Sequence, residues 1–397
     1  MAWVKKANLR GPIGPLGPRG PQGLPGAGEL PTDEAVAEYV ATEGASATKA
    51  ALEASFLGSR KMFAGMAGFA YENSYGYPNY AAVPYMEQLP ERLGLASMSN
   101  RAQSAQRAQD IATLAVKAGT PQTWVAPTHG MVTLGGLLNN LIEPDTLANR
   151  AAALESIRAL AALFSASARV EQGGWANTGV PGGGMNSAQA YASGGSVAIV
   201  TANGATIDIP VNAGSPYVLC YGADGTTLLG GQWTFTQGAA TIATRDFNEL
   251  TVKTGQAANN GFSPVVVRLP NVATGTVRAT YNNLGRAGAY GVIDALLPQQ
   301  SQPPLVVLIT PLPVLAATHN KPALLTYLRT VPDLVAAEFA NVIVIDPIAG
   351  WDPAIHLGPD LLHPNPLGQA HIRDAITTQL IAAILRRFSL SLFPGLV

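Results

Sequence analysis

Cysteine is nearly missing from this chain. Cys220 stands alone among 397 residues, so no intrachain disulfide framework can form, while the compartment stays open because secreted proteins can also do without disulfides. Charge is scarce too. Asp, Glu, Lys and Arg make up 12% of the residues and sum to a formal −1, which provides no basic stripe for nucleic acid or an anionic membrane. Long hydrophobic runs are absent: "PPLVVLITPLPVLAA" is broken by proline, and "ITTQLIAAIL" falls short of the roughly 20 residues of a membrane span. The opening "MAWVKKANLR" has two lysines without an apolar run behind them, unlike a signal peptide. His129, His319, His356 and His371 lack metal-ligand spacing with cysteines or acids, so they are expected to be structural or surface residues, with neither metal nor cofactor required. What remains is a chain 47% apolar and long enough for two or three domains, which predicts a soluble, mostly globular protein.

After residues 1–10, "GPIGPLGPRGPQGLPG" places glycine at 11, 14, 17, 20, 23 and 26. That is the collagen period, in which only glycine fits at the axis of three wound chains, and it predicts a homotrimer over 11–28. A Pro/Gly-rich linker is the alternative. The following "PTDEAVAEYVATEGASATKAALEASF" opens with Pro31, Asp33 and Glu34 as a helix start should, so 29–60 is expected to be a short helical neck. It could pack in a trimer or against the next domain.

From 61 to 170 the pattern is α/β, with buried-strand runs "KMFAGMAGFAY" and "MVTLGGLL" and a long helical stretch from Asp145. Residues 171–290 turn rich in Gly, Thr, Asn and Ser, and short runs such as "ATIDIPV", "PYVLCYG", "QWTFTQ", "ELTVKT" and "GTVRATYN" predict an inserted β-sandwich or jelly roll. The α/β pattern resumes over 291–385 with "PPLVVLITPLP", "NVIVIDP" and a last helix. Inserts of this kind usually sit at a rim, where they shape or cover a site. The tail 386–397 alternates Phe388, Leu390 and Leu392 with serines, like an edge strand that pairs with a neighbour, or else a frayed end.

Chemistry is sought beyond the carboxyl ends of the parallel strands. The first strand ends in "ENSYGYP", with Ser74 in a Gly/Pro-rich turn, and the last leads into "DLLHPNPLGQAHI", where Asp360 precedes His363 by three positions. The order Ser, Asp, His suits an imidazole base oriented by a carboxylate and acting on a serine nucleophile. Taken singly, Ser74 reads equally as a turn serine, and Asp360 with His363 as a structural hydrogen bond.

The last block resembles that of the SGNH, or GDSL-type, hydrolases: Asp-x-x-His, then Pro364 and a helix led by Gly368. Three further blocks are similar but altered. Glu72 and Asn73 replace the Gly-Asp before Ser74, Ala105 in "NRAQSAQRAQDI" replaces a glycine, and in "VTLGGLLNNL" Leu137 and Asn140 flank Asn139 in place of Gly and Asp. The resemblance covers 62–170 and 290–385. It implies an α/β fold with a three-layer parallel sheet and an inserted sandwich, and an ester hydrolase with catalytic Ser74, Asp360 and His363. The oxyanion donors would be the Ser74 and Ala105 N–H groups and Asn139. Tyr75 and Tyr77, with Tyr71, Tyr80 and Tyr85 nearby, would form an aromatic wall for a sugar or acyl chain, or serve packing alone.

The whole order of collagen repeat, neck, hydrolase and insert resembles minor tail or tail-fibre proteins of phages infecting actinobacteria. That implies a virion location, other tail proteins as partners, and a host-envelope glycan or acyl ester as target. The altered blocks leave a second class open, a receptor-binding or structural fibre that has lost activity.

Overall fold

The computed structural model describes residues 63, 66–76, 83–117, 129–180, 184–188, 192–222, 230–247, 263–301 and 303–392. The collagen-like stretch, the helical neck, Tyr77, Tyr80 and "ELTVKT" lie outside the described residues.

Three parallel strands come first, β1 (Ala67–Tyr71), β2 (Ser97–Asn100) and β3 (His129–Leu134), with helices α1 (Tyr85–Leu93), α2 (Ala108–Lys117) and α3 (Leu147–Ser165) between and after them. Local chemistry sets the helix ends. Pro84, which cannot continue a helix backwards, precedes α1; Gly94 ends it at φ 75°, a left-handed conformation that costs glycine little. At α3 the Thr146 hydroxyl accepts from the Asn149 amide, which would otherwise lack a partner.

The chain then makes β4 (Val170–Glu171), β5 (Ala176–Thr178), β6 (Ser187–Ala188), β7 (Ser196–Val200), β8 (Thr206–Val211), β9 (Tyr217–Gly222), β10 (Gln232–Gln237), β11 (Ala240–Asp246), β12 (Ser263–Arg268), β13 (Gly275–Asn282) and β14 (Gly291–Leu297). It returns through β15 (Leu305–Ile309), α4 (Pro322–Ala336), β16 (Val342–Ile345), a helical turn at Pro353–His356, and α5 (Pro366–Leu392).

The parallel sheet runs β16-β15-β3-β1-β2. The antiparallel strands form two sheets, β11-β10-β13-β8-β5 and β12-β9-β14-β7-β6, with β4 on β14. Trp233, Phe235, Tyr281, Ile207 and Val277 of the first sheet fill the space against Val218, Cys220, Val265 and Ile293 of the second. The first sheet has a solvated outer face, and β13 accordingly alternates buried and exposed positions. The second is covered on both faces. Tyr217, Leu219, Val266, Ala295 and Leu297 belong to the core shared with α3 and the parallel sheet, so β14 is buried along its whole length and β12 at every position but Arg268.

These findings correct the expected fold class. Among the described residues eleven of sixteen strands are antiparallel and five parallel, so the sheet structure is predominantly antiparallel rather than that of a three-layer α/β hydrolase with an inserted sandwich. The second antiparallel sheet also takes its central strand, β14, from just beyond 290, the expected end of the insert.

The rim position expected of the sandwich is corrected as well. Its two ends meet where Ala166 bridges Gln299, Ser167 N–H donates to the Pro298 carbonyl and Gln300 N–H donates to that of Ser165. Asn341, just ahead of β16, donates to the carbonyl of Pro304, just ahead of β15. The stem therefore sits at the amino ends of the parallel strands, the pole opposite the loops expected to carry chemistry. The tail changes too, since α5 continues through Leu392 where an edge strand was expected.

Candidate functional site

The parallel order reverses between β1 and β3: β1 feeds β2 on one side, and β3 pairs with β1 on the other. A crevice opens at such a switch point beyond the carboxyl ends of the strands, where open α/β sheets hold their ligands. Here it is bounded by the turn after β1 (72–76) and the loop after β3 (135–140).

Glu72, the first residue of the β1 turn, points inward. Its carboxyl lies against the Tyr85 hydroxyl and against Gly135, where a β-carbon would stand 1.8 Å from Glu72 Oε2. A larger residue there would force the Glu72 carboxyl to move. Burial pushes the Glu72 carboxyl up to about 8, against the opposing pull of the Tyr85 hydrogen bond, and Oε1 has no hydrogen-bond partner among the described residues. Asn73 closes the turn by accepting from the Tyr75 amide at 2.9 Å, and Ser74 opens the 3-10 turn Ser74–Gly76. Gln369 of α5 clamps this region, donating to the Tyr75 carbonyl at 3.1 Å and accepting from the Tyr85 amide at 2.9 Å. Tyr75 is buried, and burial together with the Asp360 carboxylate raises its phenol far above the usual range.

In the β3 loop Asn139 donates through Nδ2 to the Gln106 carbonyl at 2.9 Å, which brings Asn139 to the segment holding Ala105. Ala105 itself has φ 59°. Asn140 accepts from the Ala108 amide at 3.0 Å and donates to Gln109 at 2.8 Å, so it fixes the start of α2.

The loop after β16 supplies the dyad. Asp360 Oδ1 accepts from the Leu362 and His363 amides at 3.0 and 2.9 Å, while Oδ2 meets His363 Nδ1 at 2.5 Å. Burial would raise the Asp360 carboxyl, but these hydrogen bonds and the His363 charge outweigh it and hold the group below its usual range. The His363 side chain is 12% exposed and that of Asp360 49%, so the acid stands at the rim with the imidazole inside it.

Three further residues of "HPNPLG" have local tasks. Asn365 caps α5 by accepting from the Leu367 and Gly368 amides, and its own amide donates to the Ile355 and Leu357 carbonyls. Pro366 is the first residue of α5, where a missing N–H costs nothing. A β-carbon on Gly368 would stand 2.2 Å from the His356 carbonyl. The dyad loop is tied to the loop after β15, because the Leu315 and Ala316 amides both donate to the Leu361 carbonyl.

Sequence reasoning missed His319, Gln369 and Asn365. His319 is buried and reaches Asn139, where a surface or merely structural role was expected. Its chain neighbours gave no signal, since the contact joins residues 180 apart. His356 and His371 pack against Trp351, with ring centroids at 5.0 and 5.7 Å. A cavity of about 20 Å³, room for one water, lies beneath the β1 turn between Glu72, Tyr75, Tyr85 and Thr310, and its walls do not include Asp360 or His363. Among the described residues no group of three or more His, Cys, Asp or Glu is arranged to hold a metal ion, and no helix is long and apolar enough to cross a membrane.

No protein-family profile and no curated protein matches the chain. Solved structures that match include an exo-β-1,3-galactanase from Phanerochaete chrysosporium, at 19% identity over 32% of this chain and 28% of that one, with a TM-score of 0.23. A family 6 carbohydrate-binding module of a marine laminarinase from Zobellia galactanivorans matches at 16% identity over 33% of this chain and 98% of the module, also with a TM-score of 0.23. The catalytic domain of a family 87 α-1,3-glucanase matches at 15% identity over 36% of this chain and 30% of that one, with a TM-score of 0.26. The chain thus spans less than a third of the galactanase. Likeness at this level assigns no activity. These neighbours are carbohydrate-binding and polysaccharide-degrading proteins, not serine esterases or tail fibres, and the expected identification as a GDSL-type serine esterase in a collagen-bearing phage tail fibre is corrected. The altered blocks have physical reasons of their own: Glu72 is packed under the turn, and Asn140 holds the start of α2. The trimer and the virion location rested largely on residues outside those described.

Proposed function

We propose that this chain is a carbohydrate-active enzyme in which His363, oriented by Asp360, serves as general base at the carboxyl end of the parallel sheet. The single observation that carries this reading is the dyad in its setting: a carboxylate on Nδ1 of a largely enclosed imidazole, in a loop tied to the neighbouring strand ends. With Nδ1 engaged, Nε2 is the atom that takes a proton from a hydroxyl or water and returns it. At the same pole stand the Asn139 amide, the Tyr75 phenol and the His319 imidazole, groups suited to an uncharged, hydroxyl-rich substrate. In this reading Ser74 and Ala105 supply backbone N–H groups and Asn139 an amide to charge developing on a substrate oxygen. The test is product release from a panel of neutral oligosaccharides and polysaccharides, followed by mass spectrometry, for the wild type beside His363→Ala and Asp360→Asn. Turnover lost in His363→Ala supports the base; equal rates in both would overturn it.

A second reading, polysaccharide attachment, is favoured by one feature of the sandwich. Thr178, Thr206, Thr280, Thr234 and Thr244 stand in register across all five strands of the first antiparallel sheet, one hydroxyl per strand at a spacing of about 4.8 Å. Co-sedimentation with insoluble glucans, weakened by Thr234→Lys with Thr280→Lys, would support it. Sedimentation unchanged by the pair would sink it.

A further inference from the structure

His319 lies outside the motifs that pointed to the site, yet it enters the site from the loop after β15. Two side chains fasten that loop to the segment after β3: Lys321 Nζ donates to the Ile142 and Glu143 carbonyls, each at 2.7 Å, and His319 Nε2 stands 3.4 Å from Asn139 Oδ1. On its other side the ring meets Thr318 Oγ1 at 2.9 Å through Nδ1.

The proton positions follow from one fixed acceptor. The Gln106 carbonyl can only accept, so the Asn139 atom facing it at 2.9 Å is the NH₂ group, and the atom turned to His319 is the carbonyl oxygen. An oxygen there needs a donor, so Nε2 carries the hydrogen. A neutral ring then has a lone pair on Nδ1, which accepts from the Thr318 hydroxyl. Every group in the chain from Thr318 to Gln106 is satisfied in this one arrangement. Turning the Asn139 amide over would set NH₂ against N–H on one side and oxygen against oxygen on the other.

We propose that His319 is a positioning residue whose neutral Nε2–H tautomer locks the Asn139 carboxamide, so that Asn139 presents a fixed N–H donor to the site. The inference rests on the enzymatic reading above only for its kinetic consequence. Burial, then the electrostatic influence of His363 and Lys321, also push the His319 imidazole below its ordinary range, in the direction that favours the neutral ring.

The deciding experiment needs no substrate. Long-range ¹H–¹⁵N spectra of the ¹⁵N-histidine-labelled protein, with the His319 signals assigned by their loss in His319→Gln, should show Nε2 protonated and Nδ1 bare at pH 7. An Nδ1–H tautomer or an imidazolium at that pH would overturn the proposal. Kinetics then test the consequence on any glycan the wild type turns over. His319→Leu should lower kcat about tenfold, with KM within about twofold. His319→Gln, which keeps an N–H near the Nε2 position, should recover most of that loss, and equal losses in both variants would also count against the lock. If the wild type turns over no glycan, the enzymatic reading fails while the spectra still decide the tautomer.

Discussion

The two regions of this molecule keep their polar groups in different places. In the parallel unit the candidate site groups stand at one pole, in the loops after β1, β3, β15 and β16, where Asp360 pairs with His363 and His319 with Asn139. In the sandwich the buried polar cluster lies within the fold: Asp294 of β14 accepts from the Ser193 amide and hydroxyl and from the Tyr221 hydroxyl, and Ser193 also lies within 3.0 Å of Glu171. The first arrangement leaves a group at the surface for chemistry, and the second satisfies a buried charge. Burial of a polar residue alone therefore does not mark a site; an open side does.

The comparison breaks most sharply if activity does not segregate. His363→Ala should lower turnover by at least about 100-fold, while Trp233→Ala in the sandwich core leaves the rate per folded molecule unchanged. Trp233→Ala should instead cost about 3–5 kcal/mol in chemical denaturation. Loss of turnover by the folded Trp233 variant would show that the sandwich reaches the site.

The two buried acids provide the next contrast. Burial raises Glu72 from 4.5 to about 8, and burial followed by nearby Glu171 raises Asp294 from 3.8 to about 7 despite the donors that pull the other way. A raised carboxyl binds more protons folded than unfolded, so its contribution is fully present at low pH and fades as pH climbs from the unfolded value through the folded one. Stability should accordingly fall between about pH 4.5 and 8 for Glu72. Melting curves at pH 5 and 9 should show Glu72→Gln flattening that fall by about 2–4 kcal/mol. Asp294→Asn should act the same way over about pH 4 to 7, by less because Asp294 has three donors. Unchanged slopes would show that both groups ionise freely.

The smallest effect is expected at the exposed Arg278 and Asp208 pair across β13 and β8, where Arg278→Ala should leave the melting temperature within error.

Legibility followed sequence distance. Asp360 and His363 lie in one loop, so their pairing could be read from spacing, and β8, β10 and β13 announced themselves by alternation because one face of their sheet meets water. β14 gave no such signal. It is buried along its whole length and carries Asp294 in the middle, so neither period nor polarity marked it. The tail misled for another reason: alternation over five residues cannot outweigh a helix already propagating from Pro366, since each added turn needs no new nucleus. His319 and Gln369 were illegible because their partners lie far along the chain, and no local pattern encodes such a contact.

The stem of the sandwich also bears on the order in which the protein is made. β3 and β15 are hydrogen-bonded neighbours, yet the chain between Leu134 and Leu305 includes the whole sandwich, so an unfolded intervening segment would impose a long closure on the parallel sheet. All eleven antiparallel strands lie within that interval, and the bridge between Ala166 and Gln299 sets its two ends side by side. Once the sandwich has folded, the loop left to close shrinks to the β3 loop, α3 and the short link from Gln299 to β15. A ribosome releasing this chain would thus deliver the last parallel strands to a partner that the sandwich already holds within reach.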